Sequence, residues 1–306
     1  SEVVMDFDKI IFHANGGIGK NVAATAVLKA VKKAYSELPI FVMTGWPEIY
    51  KFDPNVERVF KFGATQYFYE DHIKRGKPLI LAQEPYLSTQ HIIEKKPLRQ
   101  SWIEMYGLEY SNEQPELHFN FRHHEVIQQN YTRDKPTIIL QTNGGAPDPE
   151  GKRLYSWARD MPMKTAVGVV ERLKSKYHFF QVCYNEQQVV KDCEPIQGLN
   201  EMEIFALLKT TKGRVLIDSC LQHGAGAMNL PSTVLWIANE PEVWSYPCHS
   251  HIKPNAEVKF DTPAKDLYQR YDIAGATDEY PYETDEIFDV DEIVSSVEKQ
   301  IHESGV

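Results

Sequence analysis

Short apolar runs alternate with amphipathic helical stretches along almost the whole chain, and that alternation leaves few folds open. Residues 9–13 form an apolar run that stops at glycines, and residues 21–35 follow with Val22, Thr25, Ala26, Leu28, Ala30 and Val31 at helical spacing. Further strands are predicted at 39–44, 56–60 and 78–82. In the second half, strands at 136–141, 179–183, 214–218 and 232–237 alternate with helices at 164–177, 202–210 and 222–229. Val290, Ile293, Val294, Val297 and Ile301 mark a closing amphipathic helix. Strands separated by helices cannot pair as hairpins; they need crossovers, so the reading is α/β with parallel sheets.

Between the two alternations, residues 83–134 are rich in aromatics, His and Gln, with one helix expected near 98–106. The polar stretch Arg133-Asp134-Lys135-Pro136 reads as a linker. The chain is therefore divided into an N-terminal domain, 1–134, a C-terminal domain, 135–288, and a terminal helix, 289–306. A length of 306 residues accommodates two such domains. The expected architecture is two Rossmann-like domains facing a cleft. Open α/β sheets bind ligands beyond the carboxyl ends of their strands, so the loops after strands are where chemistry is expected.

Composition narrows the classes. With 42% hydrophobic and 25% charged residues the chain is globular. A net charge of −10 forgoes the counterion release that drives non-specific nucleic-acid binding. Cys183, Cys193, Cys220 and Cys248 form no CxxC pair and read as reduced thiols, not a zinc site. No basic start precedes an apolar run and no stretch reaches the roughly 18 apolar residues of a membrane span, so the expected compartment is the cytoplasm.

Three post-strand segments carry candidate chemistry. The first holds His13, Asn15, Gly16, Gly17, Gly19, Lys20 and Asn21. Its glycines allow close backbone approach, the next helix offers free N–H groups to an anion, Asn21 is expected to cap that helix, and Lys20 adds a point charge. The spacing matches neither the dinucleotide fingerprint nor the Walker loop, and a plain turn is the alternative. The second segment, 141–146, offers Thr142, Asn143 and Gly144 for phosphate or hydroxyl contacts, again with an ordinary turn as the alternative. In the third, Asp218 and Ser219 end a strand, and His223 falls in the first turn of a small-residue helix, placed to donate to a phosphate. An Asx turn for Asp218 and a buried structural role for His223 are the competing readings.

The third segment resembles the donor-site signature of the heptosyltransferase-like glycosyltransferases of family 9, which have the GT-B fold. Asp218, Ser219 and His223 match its Asp-Ser/Thr-Gly-x-x-His pattern, Gly224 to Ala227 supply the small residues, and 230–233 fit the Gly-x-Pro-Thr that follows. Cys220 stands where the family has Gly, and His223 comes one residue late. The resemblance implies that Ser219 and His223 contact the donor diphosphate and that Asp218 contacts the sugar or orders the loop. Arg159, in Arg-Asp-Met-Pro where the family often has Lys-Arg-Trp-Pro, would neutralise donor phosphate. The family's catalytic Asp after the first-loop glycine is Lys20 here, and an ammonium is no base at neutral pH. The base must then come from elsewhere, with His13, Glu70, Asp71 and Glu84 as candidates; Tyr67 to Tyr69 would wall in the carboxylates of Glu70 and Asp71.

The resulting expectation is transfer of a sugar from a nucleotide-sugar co-substrate to an acceptor hydroxyl, with no cofactor. The resemblance implies that it needs no metal and inverts the anomeric carbon, and no Asp-x-Asp pair lies in a suitable loop. The acceptor is a glycan, a lipid-linked sugar or, as in phage-type members, a hydroxymethylated DNA base. For the last, Lys74, Arg75, Lys77, Lys95, Lys96, Arg99, Arg122, His123 and His124 give a basic, aromatic-interleaved stretch, with a solvated face of scattered charges as the alternative. A non-catalytic nucleotide-sugar-binding module and a nucleotide-sugar epimerase are the alternatives of other classes.

Overall fold

The computed structural model describes residues 6–144, 157–183, 188–260 and 279–305. The chain divides into two compact units, Ser1–Asn120 and Phe121–Val306. In the first, β1 (Lys9–Ala14), β2 (Ile40–Thr44), β3 (Arg58–Lys61) and β4 (Pro78–Leu81) form a parallel sheet in the order β3-β2-β1-β4. Alternate residues Ile10, Phe12, Ile40 and Val42 are wholly buried. They are covered by α1 (Ile18–Ala34), whose Ala and Val positions pack close, and by α3 (Leu98–Met105), whose Trp102 stacks on Phe12 at 5.7 Å. A short helix, α2 (Thr89–Ile92), precedes α3. Lys32 and Lys33 in the last turn of α1 complement its dipole.

The second unit holds six parallel strands in the order β10-β9-β8-β5-β6-β7. These are β5 (Thr137–Gln141), β6 (His178–Val182), β7 (Cys193–Pro195), β8 (Gly213–Ile217), β9 (Thr233–Leu235) and β10 (Ser250–Ile252). On one face, Ile138, Leu140, Val215 and Ile217 pack with Val169, Val170 and Leu173 of α5 (Met163–Leu173) and Ile293 and Val297 of α9 (Val290–Ser304). Gly168 is the point of closest approach, since any Cβ there would collide with Val290. On the other side, Tyr131 of α4 (Phe121–Tyr131) meets Phe180 edge-on, and α4 packs on α6 (Glu201–Thr210), which in turn meets α7 (Cys220–Ala227). A one-turn helix, α8 (Pro241–Trp244), follows β9.

α4 belongs to the second unit because its packing partner is α6, so the division falls at Asn120, ahead of the 133–136 stretch read as a linker. Fully buried Ile, Leu, Val and Phe side chains contribute about 1.5–3 kcal/mol each, against about 0–1 kcal/mol for exposed pairs such as Lys164–Asp285. The cores therefore hold the fold. No helix among the described residues is long and apolar enough to cross a membrane.

In each sheet the strand order reverses once: between β1 and β4 in the first unit, and between β5 and β8 in the second. These reversals are where the loops of an open parallel sheet diverge and leave room for a ligand.

Candidate functional site

In the first unit, the loops leaving β1 and β4 meet at Lys20 and Glu84. The Lys20 ammonium donates to both carboxylate oxygens of Glu84, at 2.8 and 2.7 Å, and to Asn15 Oδ1 at 2.6 Å. It lies 4.5 Å from the Tyr86 ring centroid and 5.5 Å from that of Trp102. Burial pulls its pKa down and Glu84 opposes that shift. Lys20 was expected as a free charge for an incoming phosphate; instead its charge is spent inside the protein. Glu84 also accepts from the Tyr86 N–H, which caps a short 3-10 turn, Pro85–Leu87.

The glycine loop is similarly committed. Gly16 has φ +87° and its carbonyl accepts from Trp46 Nε1 at 3.0 Å. Asn21 does not cap α1, which starts at Ile18 with Gly17 as N-cap. Asn21 lies inside the helix, wholly buried, donating to Gly17 O and accepting from the Thr44 and Tyr50 hydroxyls. Gly19 is likewise within the first turn of the helix. His13 stacks on Phe62 at 4.8 Å; burial, then the Lys20 charge, lowers its pKa and favours the neutral imidazole. Glu70 and Asp71 sit on a solvent-facing turn, Tyr69–Lys74, where Asp71 lies near Arg75. Tyr67 and Tyr69 are themselves exposed, so the aromatic wall expected around these carboxylates is absent.

In the second unit, the loops leaving β5 and β8 meet at Gly144 and Ser219. Ser219 is the N-cap of α7 and makes no side-chain hydrogen bond to the helix backbone, so the first-turn N–H groups keep their pull on an anion. Arg159 stands by this helix start, near enough for its charge to bear on the Cys220 thiol, whose pKa burial raises. Among the described residues its guanidinium makes no ion pair or side-chain hydrogen bond. Its segment is pinned on both sides. The Asp160 carboxylate accepts from Asn143 Nδ2 and the Gly144 N–H, Met161 N–H donates to Thr142 O, and Ala238 N–H to Ala158 O.

Thr142 and Asn143, expected to reach the donor, are buried; Thr142 donates to Asn143 Oδ1 and accepts from Gln181, and Asn143 donates to Asp160. Asp218 is buried and accepts from Asn239 Nδ2 at 2.7 Å, which fits the ordering of the loop. His223 is the largest departure: it is 6% exposed, with Nδ1 on the Tyr246 hydroxyl at 2.7 Å. Gly145 and Ala146 of the same motif lie outside the described residues.

Three positioning residues gave no sequence signal of their own. Asp160 was visible only as Arg159's neighbour, and Tyr246 and Asn239 come from later loops whose return to α7 no local pattern announces. A groove of about 600 Å³ opens near the amino ends of β5 and β6; Arg133 and Lys174 in it are paired with Glu194 and Asp192, and Lys135 donates to the Lys174 carbonyl. Among the described residues, no three His, Cys, Asp or Glu side chains are grouped as for a metal ion.

Two parallel α/β units, each with its distinctive loops at the strand-order reversal, define the fold class of the GT-B glycosyltransferases. Solved structures share this fold. The chain superposes on the Escherichia coli ADP-heptose LPS heptosyltransferase II with a TM-score of 0.67 at 12% identity, covering 97% of this chain and 100% of that one. A family 9 glycosyltransferase from Veillonella parvula matches with a TM-score of 0.66 at 12% identity over 98% of both chains. E. coli heptosyltransferase WaaC, solved with ADP, matches at 0.56 and 10% identity over 80% of this chain and 93% of that one. No protein-family model matches the sequence, and no curated protein matches it. At such identities the likeness is one of fold: this chain has the fold of the family 9 heptosyltransferases.

Proposed function

We propose that this protein transfers a glycosyl group from a nucleotide sugar to an acceptor hydroxyl, the second unit taking the donor and the first the acceptor. The observation that carries this is Arg159, whose charge reaches Cys220 at the start of α7 from a backbone segment pinned at Asp160 and Ala158. As the bond from the anomeric carbon to the diphosphate breaks, negative charge grows on the leaving phosphate. A guanidinium carried on a pinned backbone segment and a set of helix N-terminal amides stabilise that charge. Ser219 adds a hydroxyl at the same edge. Asp218 and His223 act indirectly, by ordering the loop and fixing α7 through Asn239 and Tyr246. A single displacement by the acceptor oxygen inverts the anomeric centre, and the charge stabilisation is supplied by protein groups.

The first donors to test are ADP-linked, because WaaC of matching fold was solved with ADP. In thermal-shift assays with ADP-heptose, ADP-glucose, UDP-glucose, GDP-mannose and CMP-sialic acid, at least one should stabilise the protein. Arg159→Ala should leave the unliganded Tm unchanged and weaken that donor about 10–100-fold, the worth of one charge-assisted pair. Stabilisation by none of these sugars, or full binding by Arg159→Ala, defeats the reading.

A further inference from the structure

We propose that Glu84 accepts the acceptor's proton and that Lys20 is its positioning residue; this rests on the transferase reading above. The position after Gly19, where a carboxylate base is expected by resemblance, holds an ammonium instead. The fold nevertheless brings a carboxylate to the same place from the end of β4, the strand next to β1 at the order reversal.

The geometry separates the two partners. The Lys20 side chain is 3% exposed and its N–H groups are used by Asn15 and Glu84, so it has no means of meeting a substrate. The Glu84 side chain is 30% exposed, and only it presents the pair to solvent. Taking an ammonium out of water costs several kcal/mol, so a pair this enclosed is not the incidental contact of two surface chains. Oε1 accepts from both Lys20 and the Tyr86 N–H, whereas Oε2 accepts from Lys20, so Oε2 keeps more capacity for an acceptor hydroxyl. The competing bases fit less well. An imidazolium at His13 is opposed by burial and by Lys20, and Glu70 and Asp71 lie on the turn that follows β3.

In the step, the acceptor O–H proton passes to a Glu84 oxygen while the acceptor oxygen bonds to the anomeric carbon. The bond from that carbon to the diphosphate oxygen breaks, and its electron pair leaves with the nucleoside diphosphate. The carboxylic acid then returns the proton to solvent, which Glu84's exposure permits.

The test uses the full chain, the nucleotide sugar that stabilises the wild type, and water or methyl α-glucoside as acceptor, with release of nucleoside diphosphate as readout. Glu84→Gln should keep donor binding within about twofold and lower kcat at least 100-fold, as expected for a lost general base. Glu84→Asp should retain a tenth or more of the rate. Because Glu84→Gln strands a buried ammonium, the double variant Lys20→Met/Glu84→Gln removes both charges; it should fold, bind donor and stay inactive. Lys20→Met alone should lower kcat about tenfold with donor affinity unchanged. A double variant or Glu84→Gln turning over within threefold of wild type overturns the assignment alone. Failure of the wild type to bind any of the nucleotide sugars overturns the transferase reading and the assignment with it.

Discussion

The space that a side chain on Gly144 would need is filled by Ser219: a Cβ there would lie 2.5 Å from its Oγ and 2.8 Å from its Cβ. One residue follows β5 and the other follows β8, the two strands that flank the order reversal of their sheet. Lys20 and Glu84 stand in the same relation at the reversal of the other sheet. Both contacts are closed by residues some 60–75 positions apart, and both lie where the topology opens the carboxyl edge.

Gly144→Ala should therefore act on α7. A methyl group must push Ser219 and the helix start aside, an overpacking cost of about 1–3 kcal/mol. The expected result is a Tm lower by several degrees and a weaker response to nucleotide sugar. Unchanged donor binding would separate the Ser219 edge from the donor site.

The small residues of α7 are set by its neighbours. A Cβ on Gly224 would enter the ring of Phe205, and one on Gly226 the ring of Tyr246. Gly224→Ala and Gly226→Ala should each destabilise by about 1–3 kcal/mol in chemical denaturation, even though alanine favours helix by about 1 kcal/mol. A gain in stability from either would show that these rings yield without cost.

Arg214 holds loops together in place of meeting a ligand. Its buried guanidinium donates to Leu208 O, Thr211 O, Pro231 O and Ser232 Oγ, and burial pushes its pKa down to about 10, so it stays charged at neutral pH. Arg214→Met removes the guanidinium donor from the Thr211 and Pro231 carbonyls, at about 1–3 kcal/mol each, and a loss of about 3 kcal/mol is expected. A loss under 1 kcal/mol in a denaturant titration would contradict that account.

Acid should weaken the second unit through His249. Burial lowers its pKa to about 4, and its Nε2 bonds to Gln222 O beside Arg214 and His251. The folded pKa lies below the unfolded value of about 6.5, so the unfolded state binds the extra proton between them. Stability is then full above about pH 6.5 and falls as pH drops toward 4, by up to about 3 kcal/mol. His249→Gln should flatten that part of the stability–pH curve; a slope equal to wild type would point to other groups.

Much of the architecture could be read from the chain because its strands are apolar over their full length. The runs at 9–13, 136–141 and 214–218 met observed strands within a residue or two. The failures share a cause. β7 and β10 have three residues each, and β10 reads Ser-His-Ile, too short and polar to show a period. α4 buries only Ile127 fully, so its polar sequence gives almost no stripe although it docks on α6.

At the candidate sites, several side chains that local pattern assigned to the ligand are bonded within the protein. Asn21, Thr142, Asn143 and His223 are all polar residues beside glycines, the signature of a binding loop, yet each is buried and bonded to the protein. Satisfying a loop's own polar atoms calls for the same residue types as gripping a ligand, and sequence does not separate the two uses.

By itself, the order of residues determined two parallel sheets and the segments that end at their carboxyl edges, because hydrophobic period and glycine placement act over a few residues at a time. Only the tertiary structure decided that Lys20 is neutralised by Glu84, that Ser219 occupies the place of a Gly144 side chain, and that His223 turns to Tyr246. Those pairings join loops far apart in the chain, and they are fixed by strand order and burial, which no local window contains.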